Sequence, residues 1–233
     1  MSPTANPVGG YKEVHQIPIY VPATPALPAQ ALAPVVIVSS APTRIATDVH
    51  TAIRVRSSQL NVLDGHSANV TGRLLEDRLP GAPGQVVALQ KFGSHGWRTL
   101  AHTRTGAGGR FRLRYVPRQT ASEQVRLRFA GDASDLAAHR PLGRLNVYRL
   151  AEASWYGGGG SLACGGSLTS ATMGVANKTL PCGTLVTLRY EGRTVRVPVV
   201  DRGPYVPGRE FDLTEATKQA LGFGGVGQVW STS

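Results

Sequence analysis

The sequence predicts an all-β protein with a single short helix. Glycine and proline are frequent, with 28 and 16 of 233 residues, which favours short strands joined by tight turns. Apolar and polar residues alternate in several short runs, and such a period of two is typical of strands with one buried face. No stretch approaches the roughly 20 apolar residues that are needed to cross a bilayer, so no transmembrane segment is expected.

Composition divides the chain into three parts. Residues 1–47 are rich in proline and alanine and carry almost no charge, which is typical of a disordered leader or linker. Residues 48–149 contain the clearest alternating runs. Residues 150–233 differ in composition, since they begin with a glycine-rich stretch and contain both cysteines. We therefore expect two β domains behind a linker.

Residues 48–149 predict a β-sandwich. Phe111, Leu113 and Tyr115 alternate with arginines, and the runs 53–56 and 125–129 have the same pattern. About seven strands in roughly 100 residues favour two packed sheets. The stretches 84–90, 97–100, 109–111 and 128–132 resemble bacterial immunoglobulin-like accessory domains, which implies a sandwich and no particular reaction.

The positive charge of the protein is concentrated in this domain. The formal net charge is +11, and residues 48–149 hold 16 Lys and Arg against 7 Asp and Glu. We expect weak binding of an anionic wall polymer, and the alternation predicts that the arginines lie on one side of adjacent strands. The alternative is an ordinary solvated face. Nucleic acid is disfavoured, because no aromatic residues are interleaved with the charges. The arginines concerned are Arg110, Arg112, Arg114, Arg126 and Arg128.

Residues 150–233 predict four strands and one helix. The strands are expected at about 151–156, 185–190, 194–200 and 228–231, with a hairpin turn at Glu191-Gly192. Asp212 and Glu215 have the spacing of a capping box, which predicts that the helix begins at Asp212. Gly222 is expected to end the helix.

Five motifs of this segment occur in one order and at one spacing: Ala153–Gly157, Lys178–Thr184, Asp201–Tyr205, Gly208-Arg209 and Asp212–Thr214. Together they resemble the rare lipoprotein A family. The resemblance implies a six-stranded double-psi β-barrel that acts on peptidoglycan, and some family members are lytic transglycosylases. Expansins, which loosen cell walls, share this barrel.

Asp201 and Asp212 are the candidate catalytic residues. Lytic cleavage of a glycan needs one carboxyl group that protonates the glycosidic oxygen and then accepts a proton from the 6-hydroxyl of the sugar. Asp201 ends an apolar strand beside a Gly-Pro turn. Each residue has an alternative explanation, because Asp201 also suits a turn cap and Asp212 also suits the helix N-cap.

Two positions depart from the family pattern. An ungapped alignment from Lys178 puts the usual Glu of the family on Gly166 and the usual His on Asn177. Neither replacement can exchange a proton near neutral pH. Losing one acid–base group typically costs 10²–10⁴-fold in rate, so we expect glycan binding to outlast catalysis. A non-catalytic, expansin-like wall-loosening or adaptor module is the alternative.

Four residues are expected to bind the glycan: Tyr156, Asn177, Arg202 and Tyr205. Aromatic rings stack on the apolar faces of sugars and bury a large area at low entropic cost. Trp155 and Tyr156 are neighbours in one strand, so only one of them can face inward. We expect Trp155 in the core and Tyr156 in the groove.

Cys164 and Cys182 predict a disulfide. Their even number and separation of 18 residues fit a bridge in an oxidising compartment, with two free buried thiols as the alternative. No histidine follows His139, so no metal site is expected, and no motif indicates a cofactor. A bridge and a wall substrate imply a location outside the cell or in its envelope, although the N-terminus lacks a conventional signal peptide.

Overall fold

Nearly all of the described chain is β-structure. The computed structural model of the protein describes residues 49–233, so the linker predicted over residues 1–47 lies outside the described residues. Within residues 49–233 the all-β prediction is confirmed, with one α-helix. None of the helices in this part of the chain has the length and apolar character that a membrane span requires.

The first half of the described chain contains nine strands and one short 3₁₀ turn at Ala107–Gly109. The strands are β1 (Thr51–Gln59), β2 (Asn61–Leu63), β3 (Ala68–Glu76), β4 (Leu79–Pro80), β5 (Val86–Gly93), β6 (Gly96–Arg104), β7 (Arg110–Tyr115), β8 (Ala121–Phe129) and β9 (Ala138–Tyr156). Strands β3 and β1 pair in one sheet, which β4 and β7 join through β3. Strands β6, β5, β8 and β9 follow one another in a second sheet, and β2 pairs with β9.

One hydrophobic core lies between these two sheets. Val70 and Leu113 enter it from the first sheet, and Leu89, Leu127 and Val147 enter it from the second. All five are buried. Alternation with a period of two therefore reports the inner face of each sheet correctly. The immunoglobulin-like assignment of this half stays a prediction.

The predicted arrangement of the arginines is wrong. Strand β7 pairs with β3, whereas β8 pairs with β5 and β9. Arg110, Arg112 and Arg114 consequently lie on one sheet, and Arg126 and Arg128 lie on the other. The chain changes sheets at residues 116–120, and a period of two cannot show which sheet a strand joins.

Strand β9 is 19 residues long and continues from the first half into the second. Its first part pairs with β8, and its last part pairs with two strands of the second half. The predicted boundary between residues 149 and 150 thus falls inside one continuous strand. The division of the chain into domains remains a prediction.

The second half adds seven strands and the helix. They are β10 (Gly160–Ser161), β11 (Ser167–Leu168), β12 (Val175–Ala176), β13 (Leu185–Tyr190), β14 (Arg193–Asp201), β15 (Phe211–Thr214), α1 (Glu215–Leu221) and β16 (Gly227–Ser231). Six strands form a closed ring in the order β15-β12-β14-β13-β16-β9, and β9 pairs back with β15. The interior is filled by small and branched residues together with Phe211 and Phe223. The predicted six-stranded barrel with one helix is confirmed.

Helix α1 begins later than predicted. Asp212 lies in strand β15, where it pairs with β9 and β12, and the N-cap is Thr214. The helix N-cap explanation of Asp212 is therefore wrong, because its backbone belongs to the barrel sheet. Gly222 does end the helix: it adopts the left-handed conformation with φ 71°, and its N–H donates to carbonyls of the last turn.

Candidate functional site

The two candidate carboxylates lie at one level of the barrel wall. Ala176 of β12 pairs with Asp201 of β14 on one side and with Asp212 of β15 on the other. Asp212 in turn pairs with Ser154 of β9. Since directly paired residues project to the same face of a sheet, Ser154, Asp212, Ala176 and Asp201 form one row. We call this row the aspartate row.

Asp201 is anchored through one carboxylate oxygen. Its Oδ1 accepts the backbone N–H of Ala163 at 2.9 Å and the N–H of Arg202 at 2.8 Å. Among the described residues, no hydrogen bond is made to its Oδ2. Asp201 therefore does cap its own turn, as the alternative explanation proposed.

Asp212 is held by a side chain of the neighbouring strand. Its Oδ1 accepts the hydroxyl proton of Ser154, and Ser154 is buried. This contact fixes the Asp212 carboxyl on the aspartate row. Sequence reasoning did not single out Ser154, although it stands inside the Ala153–Gly157 motif.

Tyr156 brings a hydroxyl group to the same place. Its Oη is buried and makes no hydrogen bond of standard geometry with any residue of the described chain. Burial raises the pKa of this phenol, and the nearby Asp201 carboxylate raises it further, with a smaller effect from Asp212. At neutral pH the hydroxyl therefore keeps its proton.

Trp155 is not a core residue, so that prediction is wrong. Its side chain is 40% exposed, and Lys218 Nζ lies 3.7 Å from the ring centroid in a cation–π contact. Its neighbour across the ladder, Leu213, is buried in the barrel core. Trp155 lies close to the end of β9, where the side chain of Lys218 is packed over its ring.

Tyr205 presents a free aromatic face. It follows the turn after Asp201, its ring lies beside Gly203, and it is 79% exposed. An aromatic ring this exposed gains little from packing, whereas it is well suited to stacking on a sugar.

Asn177 is engaged by the main chain. Its Oδ1 accepts the N–H groups of Thr179 at 3.0 Å and Leu180 at 2.8 Å, and its Nδ2 donates to the carbonyl of Glu210 at 3.0 Å. The side chain is buried. These contacts favour a structural role in the turn after β12, and its role in substrate binding stays a prediction.

Arg202 stabilises the same turn after β12 through its guanidinium group. Its Nη1 donates to the carbonyls of Asn177 at 3.1 Å and Leu180 at 2.9 Å, and its Nη2 lies 3.2 Å from Cys182 Sγ. The guanidinium positions residues 177–182 next to Asp201. Its direct contact with substrate also stays a prediction.

The predicted disulfide between Cys164 and Cys182 is confirmed, with Cα atoms 5.5 Å apart. It links the loop after β10 to the segment before β13. Ala163, whose N–H binds Asp201, is the residue before Cys164. The bridge therefore supports the backbone that holds the carboxylate.

Gly166 supplies no ionisable group to the site. It is exposed, with φ at +82°, and its carbonyl accepts the N–H of Leu162 in a tight turn. A left-handed φ is rare for other residues, so the local backbone matches glycine at this position.

The barrel half of the chain is similar to known proteins. The family described as lytic transglycolase matches residues 150–230. The probable endolytic peptidoglycan transglycosylase RlpA of Aquifex aeolicus is 45% identical over 75 residues, which are 30% of this chain and 33% of that protein. The corresponding Synechocystis protein is 39% identical over 84 residues, which are 33% of this chain and 26% of that protein.

Two further proteins are similar to parts of this chain. The endolytic peptidoglycan transglycosylase RlpA of Rickettsia bellii is 37% identical over 79 residues, which are 30% of this chain and 35% of that protein. The Streptomyces papain inhibitor is 28% identical, covers 36% of this chain and 91% of its own, and has a TM-score of 0.31. The chain spans about a quarter to a third of the length of the curated relatives it matches.

The closed six-stranded barrel with one helix makes the second half of the described chain a double-psi β-barrel domain. Residues 150–230 of this barrel are similar to the barrels of RlpA proteins.

Proposed function

We propose that the barrel binds glycan strands of peptidoglycan along the aspartate row and cleaves them slowly as a lytic transglycosylase. The observation that carries this proposal is the pairing of Asp201 and Asp212 with one small residue, Ala176, in a barrel whose relatives bear the name of a peptidoglycan transglycosylase. Ala176, the residue between the two carboxylates, is buried.

Asp201 is the proposed acid–base group. Its protonated carboxyl gives a proton to the glycosidic oxygen as the bond from that oxygen to the anomeric carbon breaks. The resulting carboxylate then accepts the proton of the 6-hydroxyl of the same sugar, whose oxygen bonds to the anomeric carbon and closes the anhydro ring. Developing positive charge at the anomeric carbon would be stabilised by the Asp212 carboxylate. Tyr156 would donate its hydroxyl proton in a hydrogen bond to a sugar oxygen.

Catalysis is expected to be weak, because the residues at the two replaced positions cannot donate or accept a proton in the reaction. Gly166 has no side chain, and the polar atoms of Asn177 are bonded to the main chain. These observations favour a second candidate function, a non-catalytic wall-loosening or adaptor module of expansin type. Both candidates require glycan binding, and they differ only in turnover.

The proposed location is the cell envelope or the extracellular space. The disulfide between Cys164 and Cys182 supports this, because such bridges persist in oxidising compartments and are rare in the cytosol. Peptidoglycan as a partner would require the same location.

Digestion of purified peptidoglycan tests the enzymatic proposal. Sacculi with and without stem peptides are incubated with the full chain, and anhydro-muropeptides are detected by mass. Wild type should release a small amount of product, and Asp201→Asn should abolish it while leaving glycan affinity within about tenfold, or 1.4 kcal/mol. Glu191→Gln, which removes an exposed carboxylate from the β13–β14 turn, is the control and should behave as wild type.

The outcomes separate the two candidates. Product that persists in Asp201→Asn would show that the wrong residue was chosen. Binding with no product from wild type would overturn the enzymatic proposal in favour of the wall-loosening module, and wild type that fails to bind glycan would overturn both.

The aromatic contribution is tested by binding alone. Tyr205→Ser should weaken glycan affinity by about 1 kcal/mol or more, which is typical of an exposed aromatic stacking contact. Val226→Ser removes another exposed apolar side chain of the barrel, 65% exposed, and should leave affinity unchanged. Equal effects of the two variants would contradict a specific role for Tyr205.

A further inference from the structure

Five arginines surround a cleft on the first sheet, away from the aspartate row. Strands β1, β3 and β7 form this cleft, which has a volume of about 600 Å³. We call it the arginine cleft. Its charged residues are Arg54, Arg56, Arg73, Arg110 and Arg112.

The strand register brings like charges directly opposite one another. Arg54 pairs with Arg73, and Arg73 pairs with Arg110, so three guanidinium groups stand in one row across three strands. Opposed like charges destabilise a sheet. Such a row lowers stability, and a bound anion would remove the repulsion.

No acidic side chain neutralises the row. In residues 49–233 the ion pairs are Lys91 with Glu123 and Arg149 with Glu210, and neither involves the arginine cleft. Glu76, at the end of β3, accepts the backbone N–H of Ala82. The arginine cleft is lined by no carboxylate.

A β-bulge adds the fourth arginine. Val55 pairs with Gly72 and Ser57 pairs with Thr71, so Arg56 is the extra residue between them. Bulges re-aim side chains at the point where they interrupt the ladder. The bulge depends on glycine at position 72, because a Cβ there would lie 2.3 Å from the Arg54 carbonyl oxygen and 2.7 Å from Phe111 Cζ.

Hydroxyl groups complete the polar lining. Ser57 Oγ and Thr71 Oγ1 are hydrogen-bonded to each other at 2.7 Å, and Thr71 pairs with Arg112 in the next row. Neighbouring strands are about 4.8 Å apart, and alternate residues of a strand are about 6.7 Å apart. The donors thus form a two-dimensional array that suits a multivalent anion better than a single small one.

We propose that the arginine cleft binds a phosphodiester polymer of the cell envelope. The guanidinium fork matches phosphate oxygens in pairs. Phe111, the aromatic ring of the cleft lining, is buried in the core. It cannot stack on bases as single-stranded nucleic acid binding requires. The choice of an envelope polymer rests on the proposed function of the barrel, whereas the choice of an anion rests on the cleft alone.

A charge-matched pair of variants tests this proposal. The cleft variant is Arg54→Gln/Arg73→Gln/Arg110→Gln. The control is Arg98→Gln/Arg128→Gln/Arg140→Gln, which removes three exposed arginines from the second sheet. Binding of fluorescent poly(glycerol phosphate) to the full chain is measured over a range of salt concentrations, without peptidoglycan.

The cleft variant should lose at least tenfold in affinity, and the control should lose less than threefold. The slope of log K against log salt should decrease by about two in the cleft variant, as for three lost phosphate contacts on a flexible chain. Because the substitution relieves repulsion, the cleft variant should unfold at or above the wild-type temperature, which excludes misfolding as the cause of weak binding.

Three results would overturn the proposal. Equal losses in the two variants would show a diffuse charge effect. Tighter cleft-dependent binding of single-stranded DNA with the same number of phosphates would assign the cleft to nucleic acid. Failure of wild type to bind poly(glycerol phosphate) would show that the cleft does not bind this class of polymer. Asp201→Asn changes the barrel and leaves the arginine cleft intact, so this variant should bind the polymer as wild type does. The polymer assay therefore tests the cleft proposal independently of the barrel proposal.

Discussion

Asp201 and Asp212 both pair with Ala176, one from each side. Two strand spacings of about 4.8 Å separate their backbones, and the residue between them is an alanine. Burial raises the pKa of the Tyr156 hydroxyl, and the Asp201 and Asp212 carboxylates raise it further. The three side chains, from strands β9, β14 and β15, therefore interact electrostatically.

The titration of Tyr156 should depend on Asp201. Removing the negative charge in Asp201→Asn should lower the pKa of Tyr156 towards the usual tyrosine value, because the carboxylate disfavours the phenolate. Asp212→Asn should have a smaller effect in the same direction. NMR titration of ¹³C-labelled tyrosines measures this, with Tyr156→Phe to assign the signal. An unchanged Tyr156 pKa in Asp201→Asn would contradict the described geometry.

Restoring the histidine of the family should not restore activity. Asn177→His loses acceptor contacts to two N–H groups and a donor contact to the Glu210 carbonyl. Unsatisfied buried groups cost about 1–3 kcal/mol, so the urea midpoint should fall. Asn177→Asp keeps the two acceptor contacts and should be less destabilised. A histidine variant with wild-type stability and increased anhydro-muropeptide release would show that position 177 serves catalysis.

The disulfide should stabilise the barrel measurably. Cys164→Ser/Cys182→Ser opens a loop with a sequence separation of 18, and the chain-entropy estimate for this size is about 3 kcal/mol. The free energy of unfolding in urea should fall by about this amount. Reductant should destabilise wild type equally and leave the double variant unchanged. A wild-type unfolding curve that does not respond to reductant would argue against the bridge.

Acid stability should depend on Asp132. Hydrogen bonds from the N–H of Ser134, from Gln85 and from the N–H of Asp135 lower its pKa to about 2 from 3.8. A depressed folded-state pKa contributes stability that is fully present above the unfolded value and is lost as pH falls from about 4 towards about 2. Asp132→Asn should flatten the stability profile across that window, and Gln85→Ala should flatten it in part. An unaltered profile in Asp132→Asn would exclude this contribution.

Several features of the protein could be predicted from local sequence patterns. Gly222 ends the helix because a left-handed residue is needed there. The alternating runs identified which residues enter the cores. The five motifs predicted the six-stranded barrel, since several short motifs in one order and spacing specify a fold more strongly than any one of them. The cysteine pair was predicted from its number and spacing, and it lies within bonding distance in the fold.

Other features depended on which strands become neighbours. The spacing of Asp212 and Glu215 suits a capping box, yet pairing with β9 and β12 keeps Asp212 in a strand. The arginines of β7 and β8 have the same alternation, yet the chain changes sheets between them. Trp155 is apolar enough for a core, yet it lies next to the last residue of β9, where its ring is 40% exposed and contacts Lys218. Sequence by itself determined which faces are apolar and which residue types reach the site, because these follow from local periodicity and motif. Only the tertiary structure decided that Ser154, Asp212, Ala176 and Asp201 share one row, because that row is built from four strands far apart in the chain.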